Sequence, residues 1–285
     1  TTLDGVSFNI GVTTVTWVVT DNSGNSIDCY FTVTVEDDED PTFTDISCES
    51  IGDQVVSTDT TTNTYTHTGI LWDVTAADND GVASIVCTLT GATEAQNLTT
   101  LDGVSFNIGV TTVTWVVTDN SGNSIDCYFT VTVEDDEDPT FTDISCESIG
   151  DQVVSTDTTT NTYTHIGILW DVTATDNDGV ASIVCSLTGA TEGNGLTTLD
   201  GVSFNIGVTT VTWVVTDNSG NSIDCYFTVT VEDDEDPTFT DISCESIGDQ
   251  VVSTDTTTNT YTHIGILWDV TATDNDGVAS IVCSL

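Results

Sequence analysis

Ile125, Cys127, Phe129, Val131 and Val133 alternate with Asp126, Tyr128, Thr130 and Thr132 without a break. A period of two sends the two sets to opposite faces of an extended chain, so this segment is a strand with one buried and one wet face. Upstream, residues 42–48 predict a first strand and residues 53–57 a short second one. Residues 65–76 predict a long third strand, with Ile70, Trp72, Val74 and Ala76 on one face and Leu71, Asp73 and Thr75 on the other. Residues 82–89 follow, with Ile85, Cys87 and Leu89 on one side, then residues 104–108 and residues 110–118 around Trp115. Asp78-Asn79-Asp80-Gly81 and Asp119-Asn120-Ser121-Gly122-Asn123 separate these runs as turns, since Asx side chains bond locally and Gly accepts left-handed geometry. No stretch carries a helical period. Six or seven short strands in about 98 residues predict an all-β protein of tandem immunoglobulin-like β-sandwich domains.

The whole pattern repeats. The decapeptide Thr1–Ile10 returns at Thr99 and again at Thr197, a period of 98 residues. A period of that length is a domain and not a solenoid turn. Copies differ at Thr68/Ile166, Ala77/Thr175, Thr88/Ser186 and Ala95-Gln96-Asn97/Gly193-Asn194-Gly195, so half of the changes fall in residues 90–98, read as a variable loop. The strand order places the natural unit at residues 40–137 and again at 138–235. Residues 1–39 are then the C-terminal part of one repeat and residues 236–285 the N-terminal part of another. Either a longer continuous chain completes these pieces, or residues 236–285 of one copy pair head-to-tail with residues 1–39 of the next.

Composition narrows the function. Asp and Glu number 47, and Lys and Arg are absent. Nucleic acid and anionic membrane surfaces, which are held by Lys and Arg, are excluded as partners. The 38% hydrophobic content nonetheless supports a folded core, provided cations screen or bind the carboxylates. Each repeat holds three Cys without the close spacing of zinc ligands, which predicts disulfides and an extracellular or cell-surface location.

The segment Gly109-Val-Thr-Thr-Val-Thr-Trp-Val-Val-Thr-Asp-Asn-Ser-Gly-Asn123, followed by Cys127-Tyr-Phe-Thr-Val-Thr-Val133, resembles the hyalin repeat, with Trp72, Asp78-Asn79 and an upstream Cys in support. The resemblance covers most of each repeat and implies extracellular immunoglobulin-like modules associated with adhesion and matrix. Cys48 departs from the family pattern in being followed by Glu49 where Pro is usual.

The chemistry-bearing candidates are acidic. Glu134-Asp-Asp-Glu-Asp-Pro139 is a solvated linker on one reading. On the other, immunoglobulin topology brings the incoming Asp38 and Asp40 to Asp78, Asn79, Asp80, Asp119 and Asn120. In the next repeat it brings Asp136 and Asp138 to Asp176, Asn177, Asp178, Asp217 and Asn218. Such poles supply the oxygen ligands that calcium takes, and a bound ion would stiffen each joint. The pairs Cys48–Cys127 and Cys146–Cys225 are the expected disulfides, because first and last strands run side by side in this topology. Cys87, Cys185 and Cys283 are then left over, each a buried small hydrophobe or a link to a neighbour. His67, His165 and His263 read as surface residues. Nothing marks a catalytic cleft, so the expected function is structural: tandem rigid modules, copies of themselves joined head-to-tail, forming a filament or adhesin stalk. The alternative is an adhesive module that recognises a glycan or surface ligand.

Overall fold

A computed structural model describes residues 2–285. It divides into two compact units, one ending at Asp136 and one starting at Glu137. In the first unit a hairpin of β1 (Gly11–Thr20) and β2 (Ser26–Val35) precedes a complete module. The module runs through β3 (Thr42–Phe43), α1 (Cys48–Ile51), β4 (Gln54–Ser57), β5 (Thr64–Thr66) and β6 (Ala76–Ala77). It continues with β7 (Val82–Gly91), β8 (Ala95–Leu98), β9 (Ser105–Asn107), β10 (Gly109–Asp119) and β11 (Ser124–Glu134).

One sheet has the order β4-β11-β10-β7-β8, antiparallel except that β4 lies parallel to β11. The short ladders β3-β6 and β5-β9 cover its inner face. The architecture is therefore an all-β, immunoglobulin-like sandwich. The alternation along β10 and β11 is what divides inside from outside: Val113, Trp115, Val117, Phe129, Val131 and Val133 are all buried, while Tyr128 faces solvent. Residues 137–232 in the second unit repeat this sheet, in the order 152–155, 222–232, 207–217, 180–189 and 193–196.

Two tryptophans organise the core. Trp115 is 0% exposed, and its Nε1 donates to the carbonyl of Trp72 at 3.1 Å. Trp72 meets Phe106 and Phe129 edge-on at 5.8 and 6.1 Å. Burying both indoles is favourable because the polar N–H of Trp115 finds a backbone acceptor inside the core.

Three local expectations fail for identifiable reasons. Residues 42–48 are not one strand: Ser47 caps a single helical turn, accepting from the Ser50 amide while the Ser50 hydroxyl accepts from the Ser47 amide. This reciprocal cap removes Cys48 from the sheet. Residues 65–76 are not one strand either. Gly69 takes φ 95°, Asp73 turns back to the Ile70 carbonyl, and the Asp73 carboxylate accepts from the Leu101 amide and the Thr100 hydroxyl. The chain thus crosses from the β5-β9 ladder to the β3-β6 ladder, and the period-two pattern there marks burial of Trp72 and Val74 without strand pairing. Residues 90–98 are not wholly loop, since β8 forms the sheet edge. At its turn Gly91 has φ 106°, and a Cβ there would lie 2.5 Å from the Val110 carbonyl oxygen, so only Gly fits.

His67 and His165 are also buried, contrary to the surface reading. The His67 ring stacks on Trp72 at 3.8 Å and 7°, and neither ring nitrogen has a partner in hydrogen-bond geometry. Burial pushes the His67 pKa down, against the opposing pull of Asp73, the Gly69 backbone and Asp102. The folded state therefore takes up its proton at lower pH than the unfolded chain. Stability is complete above about pH 6.5 and declines as the pH falls from there toward the folded-state pKa. His67→Phe keeps the stack and removes the titration. Urea melts between about pH 7 and 5 should show a flatter pH profile for the variant module than for the parent.

Candidate cation-binding pole

The β10-β11 hairpin turn is held by one carboxylate. Asp119 accepts from the Gly122 and Asn123 amides at 2.6 and 2.8 Å and from Asn123 Nδ2 at 2.8 Å. The β6-β7 turn closes on itself in the same way, with Asp78 Oδ1 accepting from the Asp80 amide at 2.7 Å. The two turns are tied together: Asn120 Nδ2 donates to the Asp80 carbonyl at 2.7 Å and the Ser121 hydroxyl to the Asp80 carboxylate at 2.9 Å. Asn123 Nδ2 also donates to the Asp37 carbonyl at 3.1 Å, which fixes the incoming chain at this pole.

The result is a group of three acids. One carboxylate oxygen from each of Asp37, Asp78 and Asp119 lies within 4.8 Å of the others. Both carboxylate oxygens of Asp37 are shielded from water with no donor in hydrogen-bond geometry. Burial pushes the Asp37 pKa up, as do Glu39 and the charges of Asp78 and Asp119, while the Asn79 side chain pulls it down. Burial also raises Asp119, but its bonds from Asn123, Gly122 and Ser121 outweigh that and hold it below the usual value. One acid is thus stabilised as an anion by the turn it caps, and its neighbour is left short of positive charge. With no Lys or Arg in the chain, the donor set is all oxygen and anionic, which fits a hard cation such as calcium and offers nothing to an anion.

The sequence placed most of this pole and missed its centre. Asp78 and Asp119 meet as expected, with Asn79, Asp80 and Asn120 in the surrounding turns. The linker acid beside them is Asp37, while Asp38 and Asp40 are exposed and outside the trio. The reason is the strand period: Asp37 continues the face of Val33 and Val35, and Asp38 and Asp40 do not. In the second unit the turns recur. Asp176 accepts from the Asp178 amide at 2.8 Å, Asp217 from the Gly220 amide at 2.6 Å, and Asn218 Nδ2 donates to the Asp178 carbonyl at 2.7 Å. Asn177 lies between Asp176 and Asp178 in the first of these turns. Asp136 accepts from the Ser57 hydroxyl at 3.0 Å, at the exit of the first module, and Asp138 is exposed.

Cys48–Cys127 and Cys146–Cys225 are disulfides, with Cα–Cα distances of 5.8 and 5.7 Å. Each joins the capped helical turn to the last strand, not one edge strand to another; the strand beside β11 is β4. Cys87 is fully buried and free, its thiol pushed up to about 12 by burial and by Asp73, so it packs as a small hydrophobe. Cys185 matches it, whereas Cys283 is exposed.

Disulfide-closed sandwiches in tandem, each entered through an acidic linker, define the class of module. The HYR domain model matches residues 1–35, 37–133 and 135–231. The chain belongs to the HYR domain family. It is 34% identical over 284 residues to hyalin of Strongylocentrotus purpuratus, covering 97% of this chain and 20% of that protein. It is 31% identical over 207 residues to the serine-rich adhesin for platelets of Staphylococcus aureus strain MRSA252, covering 70% of this chain and 13% of that protein. The chain thus spans a small part of these relatives. Among solved structures, the protocadherin gammaB7 EC3-6 cis-dimer is 18% identical, with 93% of this chain and 69% of that one covered and a TM-score of 0.31. Among the described residues no helix is long and apolar enough to cross a membrane.

Proposed function

We propose that this chain is a stretch of shaft in an extracellular filament or adhesin stalk, built from rigid modules joined head-to-tail and stiffened by calcium at the module entrance. The observation that carries the reading is the meeting of Asp37, from the linker, with Asp78 and Asp119, from two turns of the module that follows. A cation shared by these three would fix the linker to the module it enters. Affinity of about 0.1 to 1 mM suffices in an extracellular setting. The disulfides and the hyalin and adhesin relatives support that setting and a structural or adhesive role, not an enzymatic one.

One observation favours a second reading, an adhesive module. Half of the differences between copies fall at Ala95-Gln96-Asn97, on the edge strand β8, where a glycan or surface ligand has access. A shaft needs uniformity more than it needs variation, and the near-identity of the copies favours the shaft. Small-angle scattering of the chain in about 5 mM calcium and in chelator, at equal ionic strength, separates the consequences. The proposal expects a longer and less variable maximum dimension with calcium, and an unchanged profile contradicts it.

A further inference from the structure

The variable edge strand holds a residue with an unusual backbone. Strand β8 pairs with β7 through Leu98 opposite Cys87 and Ala95 opposite Leu89, so Gln96 and Asn97 together oppose Thr88 alone, a β-bulge. Asn97 takes φ 59°, the one positive φ at a residue other than Gly among the described residues. Asn tolerates left-handed geometry better than most side chains, and a bulge re-aims the side chain it holds. Ala95 and Leu98 pack against the core, leaving Gln96 and Asn97 exposed on the open edge of the sheet. The second module keeps the bulge, between the pairs Leu187–Gly193 and Cys185–Leu196, and has Gly195 at φ 69° where the first has Asn97. Gly alone satisfies this backbone, so the fold itself does not require Asn.

Asn97 also opens a sequence with its own chemistry. Asn97-Leu98-Thr99 is the one Asn-x-Thr or Asn-x-Ser sequence in the chain, and both of its polar residues are exposed. The second module has Gly195-Leu196-Thr197 at the same place and lacks only the acceptor. We infer that the β8 bulge is an N-glycosylation site, occupied at Asn97 in the first complete module and cancelled by Gly195 in the second. The co-reactant is a lipid-diphosphate-linked oligosaccharide of the secretory pathway. Asn97 Nδ2 bonds to the anomeric carbon of its first sugar, the carbon–oxygen bond to the diphosphate breaks, and the lipid diphosphate leaves with the electron pair. The amide nitrogen gives up one proton, which balances the diphosphate released. Because Leu98 fastens β8 inward, the sugar projects from the edge and displaces no core side chain. It also covers backbone with which a strand of a neighbouring identical module could otherwise pair.

The inference rests on the extracellular setting of the proposed function and not on calcium or on a filament. The chain is directed into the secretory pathway of an animal cell line, and secreted and cell-retained protein are both mapped by mass spectrometry. Mapping is repeated after a peptide N-glycosidase, which leaves Asp at any Asn that carried a glycan. The expected result is one glycan, at Asn97, lost in both Asn97→Gly and Thr99→Ala. Asn97→Gly gives β8 the residue with which the second module folds, and its Cys48–Cys127 bond on the same map reports folding. Gly195→Asn brings its Cβ within 4 Å of no other atom and should gain a second glycan. A bare Asn97 overturns the inference, and the Cys48–Cys127 and Cys146–Cys225 bonds show separately whether the extracellular reading stands. A glycan at Asn97 with none gained by Gly195→Asn overturns the claim that this one residue sets the difference between the modules.

Discussion

Trp115→Ala is expected to destabilise its module by about 3 to 5 kcal/mol, the range for deleting a large buried aromatic. The indole is fully buried, and its removal also strips the Trp72 carbonyl of its donor inside the core. A domain of this size carries only about 5 to 15 kcal/mol in total, so the variant module approaches the threshold of folding. The second complete module holds the same contact, Trp213 Nε1 to the Trp170 carbonyl at 3.0 Å, and serves as an internal control. Calorimetry of the single variant should therefore show two transitions, one displaced downward by more than about 10 °C and one unmoved. A single transition at the parent temperature would show that Trp115 is not the anchor of its core.

The second large effect belongs to the disulfide. Cys48–Cys127 closes a loop with a sequence separation of 79 residues. Loss of that link costs about 2 to 4 kcal/mol, chiefly because the unfolded chain regains the freedom that the loop denied it. It also frees α1, which the bond fastens to β11. The double variant Cys48→Ser, Cys127→Ser should unfold at a distinctly lower urea concentration than the parent, with a steeper dependence on urea as its unfolded state expands. The same urea midpoint for variant and parent would place the stability of the module elsewhere. Reduction of the parent breaks Cys146–Cys225 as well and should lower the stability of both complete modules, whereas the variant lowers that of the first alone.

How much of this was legible depended on whether a residue's role was fixed by strand period or by a local cap. The faces of β10 and β11 and the burial of Trp72 and Trp115 follow from alternation and were readable; the pairing of Cys48 with Cys127 was also readable, although Cys48 lies in a helical turn and not in a strand beside the last one. The helical turn at Cys48 follows from Ser47 and Ser50, a four-residue cap too short to register as periodicity. The break in residues 65–76 depends on Gly69 and on Asp73 reaching Thr100 and Leu101, 27 and 28 residues away. A contact of that kind is invisible to any window along the chain. His67 was misread because a residue between threonines looks exposed, whereas its ring is stacked on Trp72. Asp37 was within reach of the sequence, since extending the alternation of Val33 and Val35 by one step points to it. The runs of neighbouring acids concealed that choice.

Asp37 is also where the account is most exposed. The pole is expected to bind calcium and, without it, to be strained by repulsion among Asp37, Asp78 and Asp119. The decisive measurement is the thermal unfolding of the parent and of Asp37→Asn, each with and without about 10 mM calcium at matched ionic strength. For a dissociation constant of about 0.1 to 1 mM, the parent gains about 1.4 to 2.7 kcal/mol from the ion. Asp37→Asn loses most of that gain and, in chelator, is at least as stable as the parent, because the carboxylate that has no donor in hydrogen-bond geometry is gone. A parent that is indifferent to calcium, or a variant that gains as much from it, would contradict the calcium-stiffened joint.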